Sequence, residues 1–182
     1  MFDESLPSPL LWPGLIPSFF LLRLVTPLSS QFHLSSAFVG VSLPGLVLRR
    51  PDGSAVGAAT RVHNGVADAA TGEAMGLNDA MDWVEKLGEH KVIFELDSQI
   101  IVKAVKEKAM IRKGWGCVTR RCKRFLEVNP EANIRWVPRA ANKAAHELAK
   151  WADHEPNREW LNTTPPCIWS LIQKDKSLIV FP

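Results

Sequence analysis

Cysteine is scarce: Cys117, Cys122 and Cys167 are three in 182 residues, an odd number with no metal-ligand spacing. That pattern indicates neither a disulfide framework nor a zinc site. The usage fits a reducing, intracellular compartment, nucleus or cytoplasm, with no disulfide partner. Net charge is also small, because 22 basic residues against 19 acidic ones leave +3, and that sum gives no argument for a polyanionic partner. No clean apolar run is long enough for a membrane. Residues 10–28 come nearest, but Pro13, Pro17, Pro27 and Arg23 interrupt them, and Asp3 and Glu4 stand where an export signal carries positive charge. No membrane partner is expected, and residues 1–30 read as a disordered or aberrant leader outside the fold. Internal repeats and low-complexity tracts are absent as well.

What is present is a composition, 46% hydrophobic and 23% charged, that supports one domain with a sizeable core. A monomer is expected. The charge is unevenly placed: from Lys103 to Arg124 nine basic residues face one acid, Glu107, so the remainder is net acidic. Within that stretch Arg112, Lys113, Arg120, Arg121, Lys123 and Arg124 surround Trp115, and basic residues interleaved with an aromatic suit contact with a phosphate backbone. A solvated helix face, with Trp115 in the core, is the competing explanation.

Local patterning supplies the elements. Arg50-Pro51-Asp52-Gly53-Ser54 joins apolar runs at Gly45 to Arg50 and Ala55 to Val62, and since proline presets φ and glycine accepts positive φ, the pair forms a hairpin. A strand is expected before it, over Phe32 to Val41. Ala74, Leu77, Ala80, Met81, Val84 and Leu87 recur at spacings of three and four, which predicts a helix from Ala70 to Leu87 that Gly88 ends. Lys91 to Leu96 reads as a strand covered on both faces. Ser98 is placed to cap a helix over Gln99 to Lys108. A helix from Cys117 to Val128, a strand from Asn133 to Val137 and a helix from Ala141 to Asp153 follow. The fold class is α/β, with a mixed five-stranded sheet flanked by helices. Residues 154–182 are expected to strap their aromatics against the domain, while His63, His90 and His154 read as isolated surface histidines, and Cys117 with Cys122 as helix packing.

Three segments carry a resemblance: Gly72-Glu73-Ala74-Met75-Gly76-Leu77, then Phe94-Glu95-Leu96-Asp97-Ser98, then Trp136-Val137-Pro138-Arg139 continuing through Asn142 and His146 to Lys150. Together they resemble the type-1 ribonuclease H domain, most closely the plant reverse-transcriptase-like proteins related to non-LTR retrotransposons, over residues 31–153. The resemblance implies the ribonuclease H-like fold, Mg²⁺ or Mn²⁺ as cofactor, RNA–DNA hybrid or RNA duplex as partner, and hydrolysis that leaves a 3′-hydroxyl and a 5′-phosphate. Two hard cations about 4 Å apart suit in-line phosphodiester displacement and need several convergent carboxylates.

Carried over position by position, the resemblance makes Glu73 the helix carboxylate and Asp97 the carboxylate at the end of the fourth strand, both as metal ligands. The remaining two positions depart from the pattern. His33-Leu34-Ser35-Ser36-Ala37-Phe38 puts Ser35 at the first-strand aspartate, and Asn142-Lys143-Ala144-Ala145-His146 puts His146 at the last-helix acid. Serine is a weak neutral ligand, and imidazole suits softer ions than Mg²⁺. Glu147 points about 100° away from the face of His146, and Asp68 reads as a solvated loop acid. Arg139 and Asn142 are further candidates for hybrid contact. The chain is therefore expected to be a ribonuclease H-like nucleic-acid-binding domain with impaired hydrolysis, the alternatives being a noncatalytic RNA- or DNA-binding module or a degenerate retroelement-derived fragment.

Overall fold

The computed structural model describes residues 20–25, 28–29, 40–66, 68–107 and 111–178. Its strands are β1 (Phe20–Val25), β2 (Leu28–Ser29), β3 (Gly40–Ser42), β4 (Gly45–Arg49), β5 (Ala55–Thr60), β6 (His63–Val66), β7 (Val92–Leu96), β8 (Asn133–Trp136) and β9 (Glu159–Leu161). The helices are α1 (Ala69–Lys86), α2 (Gln99–Lys106), α3 (Gly116–Val128), α4 (Lys143–Trp151) and α5 (Pro166–Leu178), with a 3-10 turn at Arg139–Asn142.

Six strands, not five, form the main sheet, in the order β8-β7-β1-β4-β5-β9. At its centre, β1 runs parallel to β7, with Leu22 beside Phe94 and Leu24 beside Leu96, and antiparallel to β4, with Leu22 opposite Leu48. Sequence reasoning left Phe20–Val25 outside the fold because the run does not alternate and lies between Pro17 and Pro27. A strand covered on both faces need not alternate, and a short apolar run bounded by breakers is the form such a strand takes. Leu22 is fully buried. Of the strand expected over Phe32 to Val41, residues 31–39 lie outside those described, and Gly40 and Val41 belong to a separate small sheet, β2-β3-β6.

The hairpin of β4 and β5 is built as its turn residues dictate: Gly53 has φ 79°, its N–H donates to the Arg50 carbonyl at 3.0 Å, and Asp52 accepts from the Ser54 N–H at 2.8 Å. Every residue of β4 is buried, and the strand divides its side chains between two cores. Leu46 and Leu48 join Leu22, Phe94, Leu77, Met81, Trp83 and Phe125 under α1, α2 and α3. Val47 joins Ala145, Leu148, Ile168 and Ile172 under α4 and α5.

The tail is more than a strap. β9 adds a sixth strand beside β5, with Ala58 opposite Trp160, and α5 closes the second core, where Asp175 pairs with the buried Arg49 at 2.6 Å. Trp169, expected to pack inward, is exposed. Nor is His63 isolated: its Nε2 lies 2.6 Å from Asp79 Oδ2 and ties the small sheet to α1. His154 stacks on Trp151 at 4.7 Å between ring centroids. Among the described residues no helix is long and apolar enough to cross a membrane.

Candidate metal and nucleic-acid site

Asp68 starts α1 by accepting the Thr71 N–H at 2.7 Å, so the acid read as solvated is the helix N-cap. That bond, with Lys113's charge in support, holds its carboxyl below the ordinary range. Glu73 sits just past the first turn, facing the carboxyl end of β7. There Asp97 and Ser98 terminate the strand, and the Ser98 hydroxyl donates to Glu73 Oε2. Ser98 does begin α2, but its side chain makes no cap bond; it is committed to Glu73 instead. Trp136, at the end of β8, donates its indole N–H to the Asp97 carbonyl at 3.1 Å and remains exposed beside it.

Both carboxyls lie above their ordinary range. For Glu73 burial is the main cause, reinforced by the charges of Asp97 and Asp68 and opposed by the Ser98 bond. For Asp97 burial again dominates, opposed by its own backbone N–H and by the charges of Arg139 and His146. A carboxyl whose pKa rises on folding lowers stability once pH exceeds its unfolded value, about 4.3 for glutamate. Glu73→Gln should therefore raise the Tm at neutral pH, and the gain should fade as pH drops through about 4. Thermal unfolding of both proteins across that range checks it; a gain undiminished at about pH 3.5 would mean that ionisation is not the cause.

His146 projects from α4, half-buried, and burial followed by the charges of Arg139 and Lys150 holds its ring below the ordinary histidine range. Arg139 Nη2 lies 3.3 Å from both ring nitrogens, so the guanidinium is in direct contact with the imidazole. Asn142 is fully buried at the start of α4, below the surface on which hybrid contact was expected. Glu147 pairs with Lys150 at 2.8 Å.

Ser35, the residue assigned to the first-strand position, lies outside the described residues. The strand that runs beside β7 is β1, and its sequence, Phe-Leu-Leu-Arg-Leu-Val, contains no carboxylate. The ladder between them ends at the Leu24–Leu96 pair, one residue before Asp97. Among the described residues there is no group of three or more histidine, cysteine or acidic side chains able to hold a metal ion. Glu73 and Asp97 alone do not fit a pair of hard cations, which need several shared oxygen ligands.

The basic stretch divides into structural and free members. Arg121 bonds Asp82, Glu85 and Asn78 on α1, and Lys123 donates to the Glu107 carbonyl at 2.6 Å. Trp115 is core, as one of the two readings held. Arg112, Lys113, Arg120 and Arg124 are exposed and have no ion pair among the described residues. Sequence reasoning did not single out Ser98 as a Glu73 partner, Trp136 as an Asp97 partner, or Lys143 beside His146. The Asp-Ser step and the tryptophan at a strand end are visible in the sequence, but only the approach of α1 to the end of β7 and the pairing of β8 with β7 give them partners.

A mixed sheet between two helical layers, with two acids meeting at the end of β7, defines a ribonuclease H-like α/β protein. The chain belongs to the reverse transcriptase-like family, which residues 39–152 match. Its fold is similar to RNase H1 from the halophilic archaeon Halobacterium salinarum NRC-1, at 20% identity and a TM-score of 0.59 over 76% of this chain and 98% of that one. It is also similar to the N-terminal RNase H domain of a Mycobacterium tuberculosis protein, at 19% identity and 0.58 over 75% and 94%. LC11-RNase H1, isolated from compost and solved in complex with an RNA/DNA hybrid, shares 15% identity and a TM-score of 0.53 over 71% and 92%. No curated protein matches the chain.

Proposed function

We propose that this chain is a ribonuclease H-like domain that binds RNA–DNA hybrid or RNA duplex through the phosphate backbone and hydrolyses it feebly or not at all. The observation that carries the reading is that Ser98, the neighbour of Asp97 at the end of β7, bonds Glu73 there, while β1 contains no carboxylate. The exposed cations Arg112, Lys113, Arg120 and Arg124 support backbone contact, because phosphate binding needs unpaired positive charge and no base-specific geometry. The hybrid-bound LC11 protein, which shares the fold, makes a hybrid the first ligand to test. In the intact family the metal ions supply water activation and neutralise the phosphate charge. Here the residues themselves can bind and position a backbone, and the loss of shared ligands removes the ground for two-ion cleavage. A plant, retroelement-related ancestry accounts for the relaxed site.

Purified protein incubated with a labelled RNA–DNA hybrid and Mg²⁺ or Mn²⁺, beside the double variant Glu73→Gln with Asp97→Asn, tests the reading. Binding with little or no cleavage in either protein is expected. Vigorous cleavage that disappears in the double variant would establish a competent enzyme and defeat the impairment. No binding of hybrid or RNA duplex would favour the fragment alternative.

A further inference from the structure

A cleft of about 530 Å³ opens between the 139–142 turn, α4 and α5, lined by Arg139, Ala140, Lys143, His146, Glu147 and Leu171. Arg139 and Lys143 are exposed, and neither forms a salt bridge among the described residues, whereas the one acid in the lining is already engaged by Lys150. Arg139 is also held in place. Its Nη2 lies 3.3 Å from both nitrogens of the His146 ring, which holds the guanidinium against α4. A fixed planar cation beside a flexible ammonium is the donor set for a phosphate group. In a two-ion site the metals bring the positive charge that lets a phosphodiester approach the carboxylates. Here two exposed cations, Arg139 and Lys143, line one cleft and can supply that charge themselves.

Building on the proposed nucleic-acid reading, we propose that Arg139 and Lys143 form a phosphate seat in this cleft beside His146, so that this chain grips a nucleic-acid backbone without a divalent cation. The imidazole of His146 serves as the platform that orients Arg139, and Leu171 walls off the cleft on the α5 side.

Fluorescence anisotropy with a labelled RNA–DNA hybrid at constant ionic strength, in EDTA and in Mg²⁺, is the test. The Kd should agree within about twofold between the two conditions. The double variant Arg139→Gln with Lys143→Gln, both on exposed side chains, should weaken binding about tenfold and flatten the log–log salt dependence by up to about 0.9 per lost contact. Its Tm, matched to the parent, confirms that the fold is kept. Binding that collapses in EDTA, or a double variant that binds as the parent does, overturns the seat while leaving nucleic-acid binding intact. If the parent binds no hybrid, the proposed function fails, and inorganic phosphate then decides the seat. Phosphate-dependent shifts of the His146 ring signals, assigned with His146→Gln and absent from the double variant, uphold it; no shift overturns it.

Discussion

A chain that begins at Gln31 is expected to be unfolded, although it contains the whole segment that resembles ribonuclease H. The deletion removes β1, the strand between β4 and β7, and with it the two ladders that join the halves of the sheet. β4 and β7 would each present an unpaired edge in the middle of the molecule, where the backbone groups cannot reach water and each lost partner costs about 1 to 3 kcal/mol. Leu22 also leaves the larger core, where it packs with Leu46, Leu48 and Phe94. The combined loss exceeds the roughly 5 to 15 kcal/mol by which domains are stable. Far-ultraviolet circular dichroism and thermal unfolding of the truncated chain check this. A cooperative transition close to that of the full chain would show that β1 is dispensable. The substitution Leu22→Asp probes the same strand in the intact chain, since an unpaired charge at a fully buried site destabilises by several kcal/mol.

The second large effect is expected at Gly45. A β-carbon added there would stand 2.3 Å from the Ala145 carbonyl oxygen and 2.6 Å from the Ala149 amide nitrogen, both backbone atoms of α4. Neither can swing aside as a side chain would, so the helix itself must move off the sheet. Ala145, Leu148 and Ala149 are fully buried and pack to that spacing. Gly45→Val should cost about 3 kcal/mol or more, lowering the Tm by roughly 10 °C for a chain of this size, and Gly45→Ala should do so to a smaller degree. The displacement should also appear at the site, because the helix that moves is the one that carries His146 and orients Arg139. Hybrid affinity measured well below the lowered Tm should therefore fall as well. A Gly45→Val protein with an unchanged Tm would show that α4 is not held at the distance described.

Much of the fold was legible because it is locally encoded. Pro51-Asp52-Gly53 specified its hairpin, and the spacing of Ala74, Leu77, Ala80, Met81 and Val84 specified α1 to within a residue at each end. The local sequence casts Ser98 as the cap of the helix that follows, and the structure spends its hydroxyl on Glu73, twenty-five residues earlier. Nothing near His63 in the sequence signals a partner, and it meets Asp79 across an element boundary. The tail was read as a strap because Glu159–Leu161 is too short to signal a strand by alternation; it becomes one by completing the edge of β5.

The sequence by itself determined the local periods, the turns and the identities of the site residues: Glu73 and Asp97 present, His146 where a last acid would stand, and no acid in Phe20–Val25. Only the tertiary structure decided that Phe20–Val25 is the strand parallel to β7, that Ser98 serves Glu73, and that Arg139 meets His146. The reason is the same in each case. Turn and helix preferences act between neighbours a few residues apart, whereas a strand buried on both faces loses its period, and its partners, some 25 and 70 residues away, are chosen only when the sheet closes.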